Sequence, residues 1–407
     1  MSLKMEFVER ASKAGAQIAP LCREFGISRE TGHKWLRRFR ELGYDGLEDR
    51  SRRPKTTPLA KAEDVVLALL RAREAHPSWG PKKLVIVLRR TLGDQAPSRA
   101  TAARILERFG KVRQRRRSKK VSIVDRAPEV TATEPNEVWT VDFKGWWTTA
   151  DGSRCEPLTV RDALSRFVLA SKRMAGTRML AVRLEFQRLF RTYGIPVVIQ
   201  CDNGVPFICP QARGGLTQLS AWWVSLGIRV VRSRPACPQD NGGHERMHRD
   251  LRADVQEGRG ASPRATQRAL DHWRQEFNHV RPHEALGGQV PADVYRPGKR
   301  GCLAALPIAY PPGWIARRAY GASGRICIDR VEYRLGRAVS GHVVGLQPLG
   351  ELLHRVWLYQ HDLGTLQLAP PTATVDGACE HFLQAPGRTK KRRGAGGEEA
   401  RRAHVAP

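Results

Sequence analysis

Three carboxylates stand where acids commonly do chemistry. The run Val138 to Phe143 is β-prone and apolar, and Asp142 interrupts it. A carboxylate buried in a strand is costly unless something pairs with it. Pro196 to Ile199 reads as a second buried strand, ending in Cys201-Asp202-Asn203-Gly204, an acid with a Gly turn beyond it. In α/β folds such strand ends are where ligands and catalytic groups gather. The third acid follows a Pro- and Gly-rich loop, Pro235 to Gly243, and opens a helix as His244-Glu245-Arg246-Met247-His248. Met247, Leu251 and Val255 recur every four residues and should face a core, whereas Glu245, Arg249 and Arg252 share another face. A carboxylate and two guanidiniums thus project together. His244 and His248 also spell H-E-x-x-H around Glu245, the spacing of zinc proteases. That reading needs a third ligand and a protease scaffold, and it leaves Asp142 and Asp202 unexplained. Otherwise the two imidazoles bind phosphate or solvate the helix face.

The elements that must hold these acids are legible around them. Leu158 to Asp162 and Arg166 to Ser171 fit the next two strands, and Met179 to Tyr193 has helical spacing. Asp162 and Asp151 are weaker rival acids, read as a strand end and, with Gly152, as a hairpin turn. Upstream, Ala16 to Glu41 reads as helix, tight turn, helix. Gly26 permits the turn, Ile27 plugs it, and Ser28 caps a helix with Trp35, Leu36 and Phe39 inward. Its outer face carries Arg29, His33, Lys34 and Arg37, which suits a DNA groove. A second such unit spans Ala62 to Arg108. Pro81 opens one helix, and Pro97-Ser98 precede another that exposes Arg99 and Arg104.

Charge supports a polyanion as partner. The 407 residues carry 70 Lys plus Arg against 40 Asp plus Glu, a formal +30. Residues 1–128 hold 31 and 14 of these, and the remaining 279 hold 39 and 26. The run Lys111-Val112-Arg113-Gln114-Arg115-Arg116-Arg117 closes the first third as an extended basic strap for phosphates. The eight cysteines contain no C-x-x-C pair, so no structural zinc site is expected. No apolar stretch reaches the 18 or so residues of a membrane span, and the expected location is cytoplasmic, on the nucleoid.

With these motifs in one order, the chain resembles a bacterial insertion-sequence transposase with a retroviral-integrase-type core of the DDE class. The matching residues are Trp139 to Phe143, Cys201 to Gly204, Pro238 to Arg246, Arg281-Pro282-His283-Glu284-Ala285-Leu286 and Arg50-Ser51-Arg52-Arg53-Pro54. The resemblance covers roughly residues 15–370. It implies a multidomain α/β chain with all-α and all-β parts. The core it implies is an RNase H-like mixed five-stranded domain at 134–298, and around it the residues themselves read as a helix-turn-helix domain at 1–50, a second at 62–110, a basic linker at 111–133, short alternating stretches between Gly turns that make a small β-barrel at 303–370, and a basic disordered tail at 371–407. It also implies that Asp142, Asp202 and Glu245 are catalytic and hold two Mg²⁺ ions, with Mn²⁺ a possible substitute. Two such ions clamp the attacking and leaving oxygens of an in-line displacement, and hard cations prefer carboxylate and water oxygens. Arg246 and Arg249 join the DNA-binding residues, and the partners are double-stranded DNA and further copies of the chain assembled on it. One departure is that 42 residues separate Asp202 from Glu245, more than is usual for the class. Asp240 lies nearer the usual distance, and an insertion at Pro210 to Leu216 accounts for the excess. A catalytically silent, transposase-derived regulator and an RNase H-type nuclease are the competing readings.

Overall fold

The computed structural model describes residues 3–49, 61–112, 130–233, 242–256, 260–300 and 303–370, with the backbone of 381–382. Arg113, Arg115, Arg116, Arg117, Asp240 and most of the tail lie outside the described residues. The chain divides into two compact units, Met1–Ala62 and Glu63–Pro407.

The first unit is a helical triplet, α1 (Leu3–Ala11), α2 (Ile18–Glu24) and α3 (Arg29–Leu42). Gly26 turns the chain between α2 and α3 at φ +62°, a conformation glycine adopts without Cβ strain. The Ser28 hydroxyl accepts the Thr31 N–H at 3.1 Å and so caps α3 as its position suggests. Phe7, Val8, Cys22 and Leu36 are buried together, with Ile27 and Trp35 packed against them. Helix α1 is not expected from the pattern, yet Phe7 and Val8 supply the floor of this small core.

In the second unit α4 (Glu63–Ala75), α5 (Pro81–Leu92) and α6 (Arg99–Arg108) form another triplet. Pro81 sits in the first turn of α5, where its missing N–H costs nothing. The Ser98 hydroxyl accepts the Thr101 N–H and caps α6. Trp79, Leu84, Leu88, Ala102 and Leu106 fill the interior.

The central sheet is built from β1 (Val138–Phe143), β4 (Leu158–Asp162), β5 (Val168–Lys172), β6 (Val198–Cys201) and β7 (Arg229–Arg232), after a short β2 (Trp147–Thr148) and β3 (Arg154–Cys155) hairpin. Its order is β5-β4-β1-β6-β7, antiparallel through β5, β4 and β1 and parallel from β1 through β6 to β7. This is the mixed five-stranded sheet expected. Helices α7 (Met179–Tyr193) and α8 (Gln218–Ser225) cover one face, on Trp139, Val141, Val160 and Ile199. Helices α9 (Gly242–Leu251) and α10 (Pro263–His279) lie on the other with Val168, followed by the single turn α11 (Pro291–Val294). Side chains alternate across a strand. With Trp139 and Val141 facing α7, Thr140 and Asp142 face α9, and the same rule puts Thr159 and Arg161 of β4 on the α9 side.

Among the described residues the expected small β-barrel does not close. Strands β8 (Ile315–Arg318), β11 (Val343–Pro348), β12 (Leu353–Leu358) and β13 (His361–Gln367) make one open sheet in the order β13-β12-β11-β8. Strand β10 (Val331–Arg334) pairs with β9 (Arg325–Ile328) on one side and the short β14 (His381–Phe382) on the other in a second sheet. Among the described residues the two sheets share no strand pairing. A register shift at Val356/Trp357 further bends β12. Ala221 and Val224 of α8 share a core with Ile326, Leu346 and Val356. The segment therefore packs on the central domain. No helix of the described residues is long and apolar enough to cross a membrane.

Candidate functional site

Asp142 and Asp202 lie at one end of neighbouring parallel strands. Val141 pairs with Cys201, and each acid is the next residue along. By alternation both fall on the α9 side, opposite the buried Val141 and Cys201. Asp202 accepts the Gly204 N–H at 3.2 Å, and its partial burial pushes its carboxyl above the usual range against that bond. Its neighbour Asn203 ties down the turn by donating to the Ser233 carbonyl at 2.8 Å.

Helix α9 crosses this end with two imidazoles inward. His244 is fully buried, with Nε2 2.9 Å from the Thr140 hydroxyl and Nδ1 3.4 Å from that of Thr159. His248 places Nε2 2.8 Å from the same Thr159 hydroxyl and Nδ1 3.9 Å from an Asp142 carboxylate oxygen. The Thr159 hydroxyl donates to the Asp142 carbonyl at 2.9 Å, so it accepts from His248 Nε2–H. That tautomer leaves the Nδ1 lone pair facing the carboxylate. Burial, helped by the Lys144 and Arg161 cations, pushes His248 down to about 3, and burial with Arg161 holds His244 well below the usual imidazole range, so both are neutral at pH 7. Two electron-rich groups facing each other beyond hydrogen-bond distance fit a shared cation. Single ligand atoms of Asp142, His244 and His248 lie within 4.8 Å of one another. With both nitrogens of His244 facing threonine hydroxyls, Asp142 and His248 are the better ligands.

Glu245 points outward with Arg249 and Arg252, as its spacing predicts, and neither it nor Asp202 belongs to that close group. The expectation that His244 either solvates the helix face or contacts phosphate is overturned by its burial. The zinc-protease arrangement is not assembled, because Glu245 turns away from the two imidazoles and His244 is already bonded. The rival acids are structural. Asp162 accepts the Asn136 and Ser165 N–H groups, both at 2.7 Å, and Asp151 accepts from Thr149 and Ser153 beside Gly152.

The remaining expected residues fall in three places. Arg29, His33, Lys34 and Arg37 are exposed along α3, and Arg99 and Arg104 along α6. Lys111 lies just past α6 and is paired with Glu74 at 3.1 Å. Arg246 and Arg249 are exposed on α9, in a cleft that Arg99 also lines. The reading by motif misses Lys144, two residues beyond Asp142, where alternation keeps it on the same face. Partial burial and Arg252 lower its ammonium, and Asp142 opposes them. It also misses Arg161, buried under the start of α9.

The integrase core domain family matches residues 226–291, a helix-turn-helix domain family matches 3–55 and a homeodomain-like family matches 31–106. The uncharacterized 39.2 kDa protein of insertion element IS476 from Xanthomonas euvesicatoria is 25% identical over 285 residues, 68% of this chain and 78% of that protein. The uncharacterized 31.7 kDa protein of insertion element IS407 from Burkholderia multivorans (strain ATCC 17616 / 249) is 26% identical over 191 residues, 47% of this chain and 66% of that one. Among solved structures, the HTLV-2 integrase catalytic core domain in complex with magnesium aligns at 14% identity and a TM-score of 0.33, over 41% of this chain and all of that one.

Proposed function

This chain has the domains and the relatives of an insertion-element transposase with an integrase-type core, and from that premise we propose that it binds element ends and performs metal-dependent DNA strand cleavage and strand transfer. The observation that carries the reading is the placement of Asp142 and Asp202 at one end of adjacent parallel strands, beneath the helix that bears Glu245. Asp142, Asp202 and Glu245 would hold Mg²⁺, or Mn²⁺ in its place, and His248 Nδ1 is disposed to join Asp142. When bound, the metal supplies activation of the oxygen nucleophile and relief of charge on the leaving oxygen. The chain's own groups do the rest. Thr159 fixes the His248 ring, and Lys144 and Arg252 set positive charge beside Asp142 for the phosphate to be cut. In cleavage, water attacks phosphorus, the bond to the 3′ oxygen breaks and a 3′-hydroxyl is freed. In transfer that hydroxyl attacks a target phosphodiester and displaces its 3′ oxygen. Helices α3 and α6 present their basic outer faces to duplex grooves, and two ends held together require more than one copy of the chain.

A second reading, a DNA-binding regulator without catalysis, is favoured by the outward Glu245 side chain. A strand-transfer assay with paired-end oligonucleotides and Mg²⁺ separates the two. Transfer by the wild type, abolished by Asp202→Asn, supports the enzyme. Transfer unaffected by Asp202→Asn overturns the assignment, and no transfer by the wild type leaves the regulator.

A further inference from the structure

Helix α9 has a second flank, and a cleft of about 680 Å³ opens there between the second helical triplet and the central domain. Eight cationic side chains and two carboxylates line it. Both carboxylates are already engaged. Arg281 reaches Asp250 at 2.6 Å, and Lys82 pairs with Glu284. Lys83, Arg99, Arg161, Arg166, Arg246 and Arg249 remain. Among the described residues, none of Arg161, Arg166 and Arg246 has a carboxylate within ion-pair distance.

Arg161 is the most informative of the six. It is 9% exposed, and its Nε donates to the Thr140 hydroxyl at 3.2 Å. Its guanidinium lies against Gly243, where an added Cβ would fall 2.1 Å from Nη2. A side chain at that point would have to displace the guanidinium from its present position. The start of a helix is itself partly positive, so a cation lodged there faces a like charge. Burying an unpaired charge is expensive, and a fold that keeps one aimed into a cleft has an anion to receive. Burial and the Arg281 cation also lower the Lys83 ammonium to about 8, the same surplus seen from α5.

We infer that this cleft is a second phosphate site, distinct from the Asp142 flank, which takes the sugar-phosphate backbone of a DNA duplex. Six unmatched cations suit a polyanion better than a single ion, since duplex DNA carries one charge per about 1.7 Å of axis. Arg99 opens α6, so a duplex read by α6 passes the mouth of the cleft. The site thereby ties the seated duplex to α9, the helix that also flanks Asp142. The inference rests on the proposed transposase reading for its ligand, although the charge argument stands without it.

The test is duplex binding by the full chain, read by fluorescence anisotropy across a salt series, for the wild type and for Arg166→Gln/Arg246→Gln. The expected result is a salt slope reduced by about 1 to 2 and an affinity roughly tenfold weaker near physiological salt, with the melting transition retained. An unchanged slope and affinity in the folded double variant overturns the inference. If that variant loses its melting transition, the exposed single change Arg246→Gln carries the test, with a slope reduced by about 1 expected. A slope equal to wild type, with inorganic phosphate alone still raising the melting temperature, assigns the cleft to free anions and also overturns the inference. Strand cleavage on the same preparations keeps the two readings apart. A reduced slope without cleavage by the wild type upholds the cleft and counts against the proposed reaction. Cleavage with an unchanged slope does the reverse.

Discussion

Helix α9 separates two environments of opposite character. On one flank lie Asp142, two neutral imidazoles and two threonine hydroxyls, bonded in a chain that leaves one lone pair and one carboxylate face to face. On the other flank lie eight cations and two carboxylates, both already paired. The first flank sets a carboxylate and two neutral imidazoles beside Lys144, whereas the second carries a surplus of cations over carboxylates. The difference shows how one helix serves a reaction that must both hold a polyanion and collect cations against it. Residues two and three apart on α9 belong to different tasks. His248 faces Asp142, and Arg246 lines the cleft.

Breaking one flank should leave the other intact. The largest effect is expected from Asp142→Asn, with strand cleavage falling on the order of 10³-fold, about 4 kcal/mol in the barrier. Duplex affinity should stay at wild-type level, checked by single-turnover cleavage beside anisotropy. Next, Arg281→Ala removes a buried guanidinium from Asp250 and strands that carboxylate, so chemical denaturation should show a loss of about 3 kcal/mol. The opposite sign is expected for Arg161→Met. Without DNA it should stabilise the protein by about 1–2 kcal/mol, because an unpaired buried charge is replaced by an apolar chain, while duplex binding weakens. Equal stability and unchanged binding would remove the contrast between the flanks.

Smaller effects sharpen it. Because Lys83 is lowered to about 8, its charged form dominates at pH 7 and is lost as pH rises through 8. Arg281 and Arg246 push it down, and Asp250 and Asp254 push it up. Duplex affinity should therefore fall about fivefold between pH 7 and 9, and Lys83→Arg should flatten that profile. Smallest of all, Ser98→Ala removes the cap of α6 and should cost about 1 kcal/mol of stability without altering cleavage by bound enzyme.

Much of this architecture can be read from local pattern. The alternation of Val138 to Phe143, the spacing of Met179 to Tyr193 and the caps Ser28 and Ser98 are short-range signals, and the elements appear where those signals put them. Strands β8 and β13 lack such a signal. The first ends in two arginines after Ile315 and Ala316 and the second carries Gly364, so neither reads as a strand without its partner. The absence of a closed barrel among the described residues has a related reason, since closure depends on pairing between distant edges that no local pattern encodes. At the site, Asp142 and Asp202 show themselves as acids breaking apolar runs. Arg161 does not, because a polar residue on an alternating strand reads as solvent-facing. Only the chain folding 82 residues onward, to bring Gly243 over it, buries that guanidinium. His244 is similar, its role set by Thr140 across 104 residues of sequence.

The most direct measurement compares Asp202→Asn with wild type in Mg²⁺-dependent strand cleavage and in duplex binding, on one substrate at one salt concentration. Unchanged binding is expected, with cleavage reduced on the order of 10³-fold. Cleavage at the wild-type rate by Asp202→Asn would contradict it.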